Sequence, residues 1–89
     1  MTQTTNNKPA ATVAYGLIKG VIWGNPGKDD KPPFYSVQYT RSYTDDDGNW
    51  KDTHSFSEID NLKLQYLIPK VTERILELKA ADRKATNAE

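Results

Sequence analysis

Cysteine is absent from this chain, and histidine occurs once, as His54. No disulfide framework can brace the fold, and no zinc site of the usual Cys/His kind can form, so two common staples of small domains are excluded. Long apolar runs are missing as well. Stretches such as Leu17-Ile18 and Leu67-Ile68 fall far short of the ~20 residues that cross a bilayer. The N-terminal stretch carries no apolar segment of the signal-peptide type, so a soluble, cytoplasmic chain with no membrane partner is expected. Net charge is also lacking: 12 Lys and Arg balance 12 Asp and Glu. Any attraction for a nucleic acid must therefore come from local segregation of charge.

The chain has 89 residues, and its opening segment MTQTTNNKPAA is polar and without apolar periodicity. It is expected to be a disordered tail over 1–11, followed by a single domain over 12–80 and a polar C-terminal tail over 81–89. Domains of this size bury only about 60% of their unfolded surface. Without disulfide or metal, self-association is the expected source of extra stability, and a homodimer is predicted.

The period of the apolar residues divides the domain. Thr12 to Trp23, TVAYGLIKGVIW, is β-branched and aromatic and is expected to form one long strand. In it Val13, Tyr15, Leu17, Val21 and Trp23 face one way and Ala14, Ile18 and Ile22 the other, with Gly16 and Gly20 marking a bulge or a close approach of a neighbour. GNPGKDDKPP then reads as a long loop whose Lys28 and Lys31 can meet a ligand. The next strand, FYSVQYTRSYT, places Tyr35, Val37, Tyr39, Arg41 and Tyr43 opposite Ser36, Gln38, Thr40 and Ser42. A further strand, NWKDTHSF, places Trp50, Asp52, His54 and Phe56 opposite Lys51, Thr53 and Ser55.

Between these strands stands Asp45-Asp46-Asp47-Gly48, which suits a hairpin connection because Asp tolerates turn conformations and Gly supplies positive φ. A calcium loop of the EF-hand type does not fit. With Gly48 at its sixth position, Tyr43 would be the first ligand and His54 the last. Acid–base catalysis by adjacent aspartates at a solvated hairpin tip lacks the pocket that separates their pKa values. Asp52, His54 and Ser55 contain triad residue types, but alternation turns Ser55 away from His54. There is no Walker loop, G-x-G-x-x-G or H-E-x-x-H. The chain is not expected to be an enzyme or to carry a cofactor.

The remainder has the helical period. Leu64, Leu67, Ile68, Val71, Ile75 and Leu78 form one apolar stripe, which Leu62 and Tyr66 widen beyond what one small sheet needs. The surplus predicts that the stripe is the dimer interface. Ser57 and Asp60 resemble a capping box, and Pro69 predicts a kinked single helix in preference to a split one.

The stretch YTRSYTDDDGNWKDTHSFS followed by a leucine-rich helix resembles the positive cofactor four family of transcriptional coactivators and their bacterial and phage relatives. The resemblance spans roughly Val37 to Leu78. The order of the elements gives an α+β fold, an antiparallel sheet of three to four strands followed by one long C-terminal helix. The resemblance implies a four-stranded antiparallel sheet with a C-terminal helix, a homodimer formed through that helix, and single-stranded DNA gripped by the sheets. By position, Arg41, Tyr43, Trp50 and Lys51 match the family's pattern, whereas Asp52, Thr53, His54 and Ser55 stand where it has further basic residues. Independently, single-strand binders combine cations with aromatic faces for base stacking. Lys19, Arg41 and Lys51 lie among Tyr39, Tyr43, Trp23 and Trp50 on strands that can be neighbours.

The expectation is a binder of single-stranded DNA or RNA with little sequence preference, acting in replication, recombination or transcription. The alternative is a small protein-interaction or inhibitor module of similar fold. From Thr12 to Phe56 five basic residues face six acidic ones, which weakens phosphate attraction.

Overall fold

A computed structural model describes residues 8–87. Four antiparallel strands, β1 (Ala11–Tyr15), β2 (Ile18–Asn25), β3 (Phe34–Thr44) and β4 (Trp50–Thr53), form one sheet in the order β1-β2-β3-β4, and a single helix, α1 (Glu58–Asn87), follows. This is the expected α+β arrangement. The helix runs to Asn87 and β1 opens at Ala11, while residues 1–7 and 88–89 of the two expected tails lie outside the described residues.

The expected first strand proves to be two. Tyr15 pairs with Ile18, so Gly16 and Leu17 form a two-residue hairpin turn. Gly16, at φ 64°, occupies the first central position, where a type II′ turn demands positive φ. Folding back at this point reverses the alternation: Ile18 and Ile22 join Val13 and Ala11 on one face, while Leu17 is left exposed in the turn.

That face carries the core. Ile18, Ile22, Leu67 and Val71 are fully buried, ringed by Ala11, Val13, Tyr35, Val37, Tyr39, Phe56, Leu64, Ile75 and Leu78. Each of the four is worth roughly 1.5–3 kcal/mol on burial. The helix lies over β1 and β2. Its approach is set by Gly20, where a Cβ would stand 2.7 Å from Val71 Cγ2 and 3.0 Å from Tyr39 Cε1.

The helix starts at the expected capping box. The Ser57 backbone N–H donates to Asp60 Oδ2 (2.9 Å), and the Asp60 N–H donates to Ser57 Oγ (3.1 Å). Helix α1 is continuous across Pro69, which has no N–H to give the Gln65 carbonyl. Near its far end, the Tyr35 hydroxyl donates to the Asp82 carboxylate. No helix among the described residues is long and apolar enough to cross a membrane.

Candidate nucleic-acid interface

The hairpin between β3 and β4 is built around one aspartate. The Asp45 N–H donates to the Asn49 carbonyl (2.9 Å), and the Gly48 N–H donates to the Asp45 carbonyl (3.0 Å). Asp45 Oδ1 accepts the N–H groups of Asp47 and Asn49, both at 2.9 Å, while Gly48 takes φ 83°. These donors, Asn49 foremost, hold the Asp45 carboxyl below its ordinary pKa. Lys51 Nζ stands 3.5 Å from Asp45 Oδ2. The acidic run is thus a turn with an internal cap.

Strand pairing sorts the candidate residues onto two faces. Ile18 pairs with Arg41, Gly20 with Tyr39, and Tyr43 with Lys51, so Tyr39, Arg41, Tyr43 and Lys51 lie on the helix-bearing face. Tyr39 is half-buried there, and the burial raises its pKa. Arg41 is engaged three ways. Its Nε lies 2.9 Å from Asp60 Oδ2, its Nε and Nη2 both donate to the Ser55 carbonyl at 3.3 Å, and its guanidinium sits 5.9 Å from the Tyr43 ring centroid. Arg41 therefore ties the β4–α1 link to the sheet. Asp60, which accepts the Ser57 N–H and faces Arg41, is held below its ordinary pKa. The cations expected on phosphates at 41 and 51 are both paired with the chain's own carboxylates.

The opposite face is free of helix. Trp23 pairs with Ser36, Asn25 with Phe34, Lys19 with Thr40, Val21 with Gln38, Ser42 with Asp52 and Thr44 with Trp50, which places all twelve on it. Phe34 is 55% exposed and Trp50 65% exposed. Trp23 and Phe34 are diagonal neighbours at one end, and Trp50 stands at the other, roughly 34 Å away along β3. Between the aromatic ends lie hydroxyl and amide side chains. Lys19 makes no ion pair among the described residues, and Asp52 accepts a hydrogen bond from the Ser42 hydroxyl at 2.8 Å. Thr40 is 7% exposed, with its hydroxyl oxygen unpartnered among the described residues.

Lys28 and Lys31 are exposed on the β2–β3 loop beside the Trp23 end. This loop is turned on itself: the Lys31 N–H donates to the Lys28 carbonyl at 3.0 Å, and a Cβ on Gly27 would lie 1.9 Å from the Lys31 carbonyl oxygen. Phe34 escaped the sequence reading, although alternation with Ser36 and Gln38 behind the Pro32-Pro33 pair was the signal that placed it.

On the helix, Leu67 and Val71 of the expected dimer stripe are consumed in the chain's own core, and Leu64, Ile75 and Leu78 pack around it. Ile68 remains 44% exposed. Ile59, Leu62 and Tyr66 instead form the exposed apolar side, with Tyr66 and Tyr15 at 5.0 Å between ring centroids. Compared with known proteins, the chain matches no family model, no curated protein and no solved structure.

Proposed function

We propose that this chain binds single-stranded nucleic acid, with little sequence preference and without catalysis, along the helix-free face of its sheet. The observation that carries this reading is the composition of that face: exposed aromatic rings at both ends, hydroxyl and amide side chains between, and Lys19, which makes no ion pair among the described residues, against the single carboxylate of Asp52, which accepts the Ser42 hydroxyl. Bases stack on such rings at ~1–3 kcal/mol each, and stacking tolerates any base. Lys28 and Lys31 extend the track past the Trp23 end. The resemblance to the positive cofactor four family supports the same ligand class, with the contacts moved from Arg41 and Lys51 to the open face.

The test is a titration of labelled oligo-dT and oligo-U, which separates DNA from RNA. Trp23→Ala and Trp50→Ala are each expected to weaken binding by ~1–3 kcal/mol at unchanged sequence preference, with thermal melts recorded alongside. A wild type with no affinity below ~100 μM in 50 mM salt, a range that weak non-specific binders reach, overturns the proposal. The second reading, a protein-interaction module, is favoured by the exposed patch of Tyr15, Ile59, Leu62 and Tyr66.

A further inference from the structure

The two neighbours of β3 cover unequal lengths of it. On one side β2 pairs with Phe34 through Arg41; on the other, β4 pairs only with Arg41 through Thr44. The outer edge from Phe34 to Tyr39 therefore has no strand beside it among the described residues. The directions of its backbone groups follow from three contacts. The Ser42 N–H donates to the Leu17 carbonyl (2.9 Å), and the Phe34 carbonyl accepts the side-chain Nδ2 of its β2 partner Asn25 (3.4 Å), so even-numbered residues of β3 point toward β2. The Tyr39 carbonyl meets His54 Nδ1 at 2.9 Å on the outer side, so odd-numbered residues point outward. Tyr35 and Val37 accordingly present their N–H and C=O groups to a vacant edge.

Such edges recruit other strands unless blunted, by charge, proline or a bulge as a rule. From Phe34 to Thr40 the sequence FYSVQYT has none of these: no charged residue, no proline and no glycine. It is rich in the aromatic and β-branched residues that favour strands. We propose that a second copy of this chain occupies the edge, its β3 antiparallel to this one about a two-fold axis at Ser36.

The position of the axis follows from what is free. Tyr39 is already met by His54, and the link to the helix leaves the sheet there, which leaves Tyr35 and Val37. An axis at Ser36 sets Tyr35 of each copy opposite Val37 of the other and pairs all their edge groups. Because the edge is neutral, no like charges oppose each other across the axis. A two-fold pairing is also self-complementary, the commonest form of soluble oligomer. Each helix lies mainly over β1 and β2 and reaches β3 where Asp82 accepts the Tyr35 hydroxyl; the two β2 strands stand three strand spacings apart, about 14 Å, against the 8–10 Å at which helices pack. The joined sheet would set Trp23 and Phe34 of both copies around one axis on the helix-free face. The pairing stands without the strand-binding reading, and its test contains no nucleic acid.

The chain has no cysteine, so single-cysteine variants report on geometry. Across the axis the Ser36 residues form a non-hydrogen-bonded pair with Cα atoms about 4.5 Å apart, within the reach of a disulfide. Under mild oxidation, Ser36→Cys is expected to convert to a covalent dimer, while Leu62→Cys on the exposed helix side and Thr12→Cys on β1 stay monomeric at equal concentration. Wild-type protein is expected to sediment at twice the 10.1 kDa chain mass, and Ser36→Lys, which sets two cations opposite each other on an exposed face, to sediment as a monomer. A wild type that remains monomeric at 100 μM overturns the proposal. So does a dimer that Leu62→Cys or Thr12→Cys traps in preference to Ser36→Cys, or one that Ser36→Lys leaves intact.

Discussion

Gly20 and Gly24 lie on the same strand and the same face, yet they are expected to answer substitution with opposite signs. Replacing a glycine by alanine lowers the entropy of the unfolded chain and is worth about 0.4–1 kcal/mol where the added methyl fits. At Gly24 it fits, because the nearest atom to a Cβ is Tyr35 Cε1 at 3.6 Å. At Gly20 it meets Val71 Cγ2 at 2.7 Å in the centre of the core, and overpacking costs about 1–3 kcal/mol. Denaturant unfolding should therefore show Gly20→Ala destabilised and Gly24→Ala neutral or slightly stabilised. Beside Asp45, Asp60 supplies pH dependence. Its folded pKa is depressed by the Ser57 N–H first, with Arg41 adding to it, so its contribution is complete above the ordinary carboxylate pKa and is lost as pH falls through the lower folded value. The urea midpoint of the wild type should drop on acidification below about pH 3.9. Asp60→Asn should start from a lower midpoint at neutral pH and lose less on the same acidification. Arg41 could not be read from sequence alone, because an arginine in an alternating strand looks the same facing a phosphate or a carboxylate nineteen positions on.

The acidic hairpin and the helix start were both legible, since turn chemistry and capping are local. Asp45 accepts two backbone N–H groups through one oxygen, an office that an asparagine carbonyl can fill. The triple change of Asp45, Asp46 and Asp47 to Asn is therefore expected to leave the fold intact and the melting temperature of both proteins indifferent to calcium or magnesium. A shift of several degrees in the wild type alone would mean that the turn binds metal. The β1–β2 hairpin was not legible because its turn, Gly16-Leu17, is flanked by apolar residues on both sides. A lone glycine inside such a run signals a bulge as readily as a reversal. The helical stripe was legible as buried, but periodicity does not say against what. Leu67 and Val71 meet the chain's own Ile18 and Ile22, which leaves Ile59, Leu62 and Tyr66 as the side open to a partner.

Across the assembled fold, the decisive feature is which side of the sheet the helix covers, and this depends on the unseen reversal at Gly16. Once β1 folds back on β2, the helix takes the face of Ile18 and Ile22, and the candidate residues divide. Tyr39, Arg41, Tyr43 and Lys51 fall beneath or beside the helix, while Lys19, Trp23 and Trp50 remain on the open face with Phe34. The division makes the two lysines opposed probes of one ligand: Lys19 has no carboxylate partner among the described residues, and Lys51 is paired with Asp45. The measurement to make is the log–log salt dependence of oligo-dT affinity for wild type, Lys19→Ala and Lys51→Ala, each verified as folded. Binding on the helix-free face predicts that Lys19→Ala lowers the slope by about 0.7, the value of one single-strand phosphate contact, and that Lys51→Ala leaves it unchanged. A slope that falls for Lys51→Ala and holds for Lys19→Ala would place the strand on the other face and contradict the proposal.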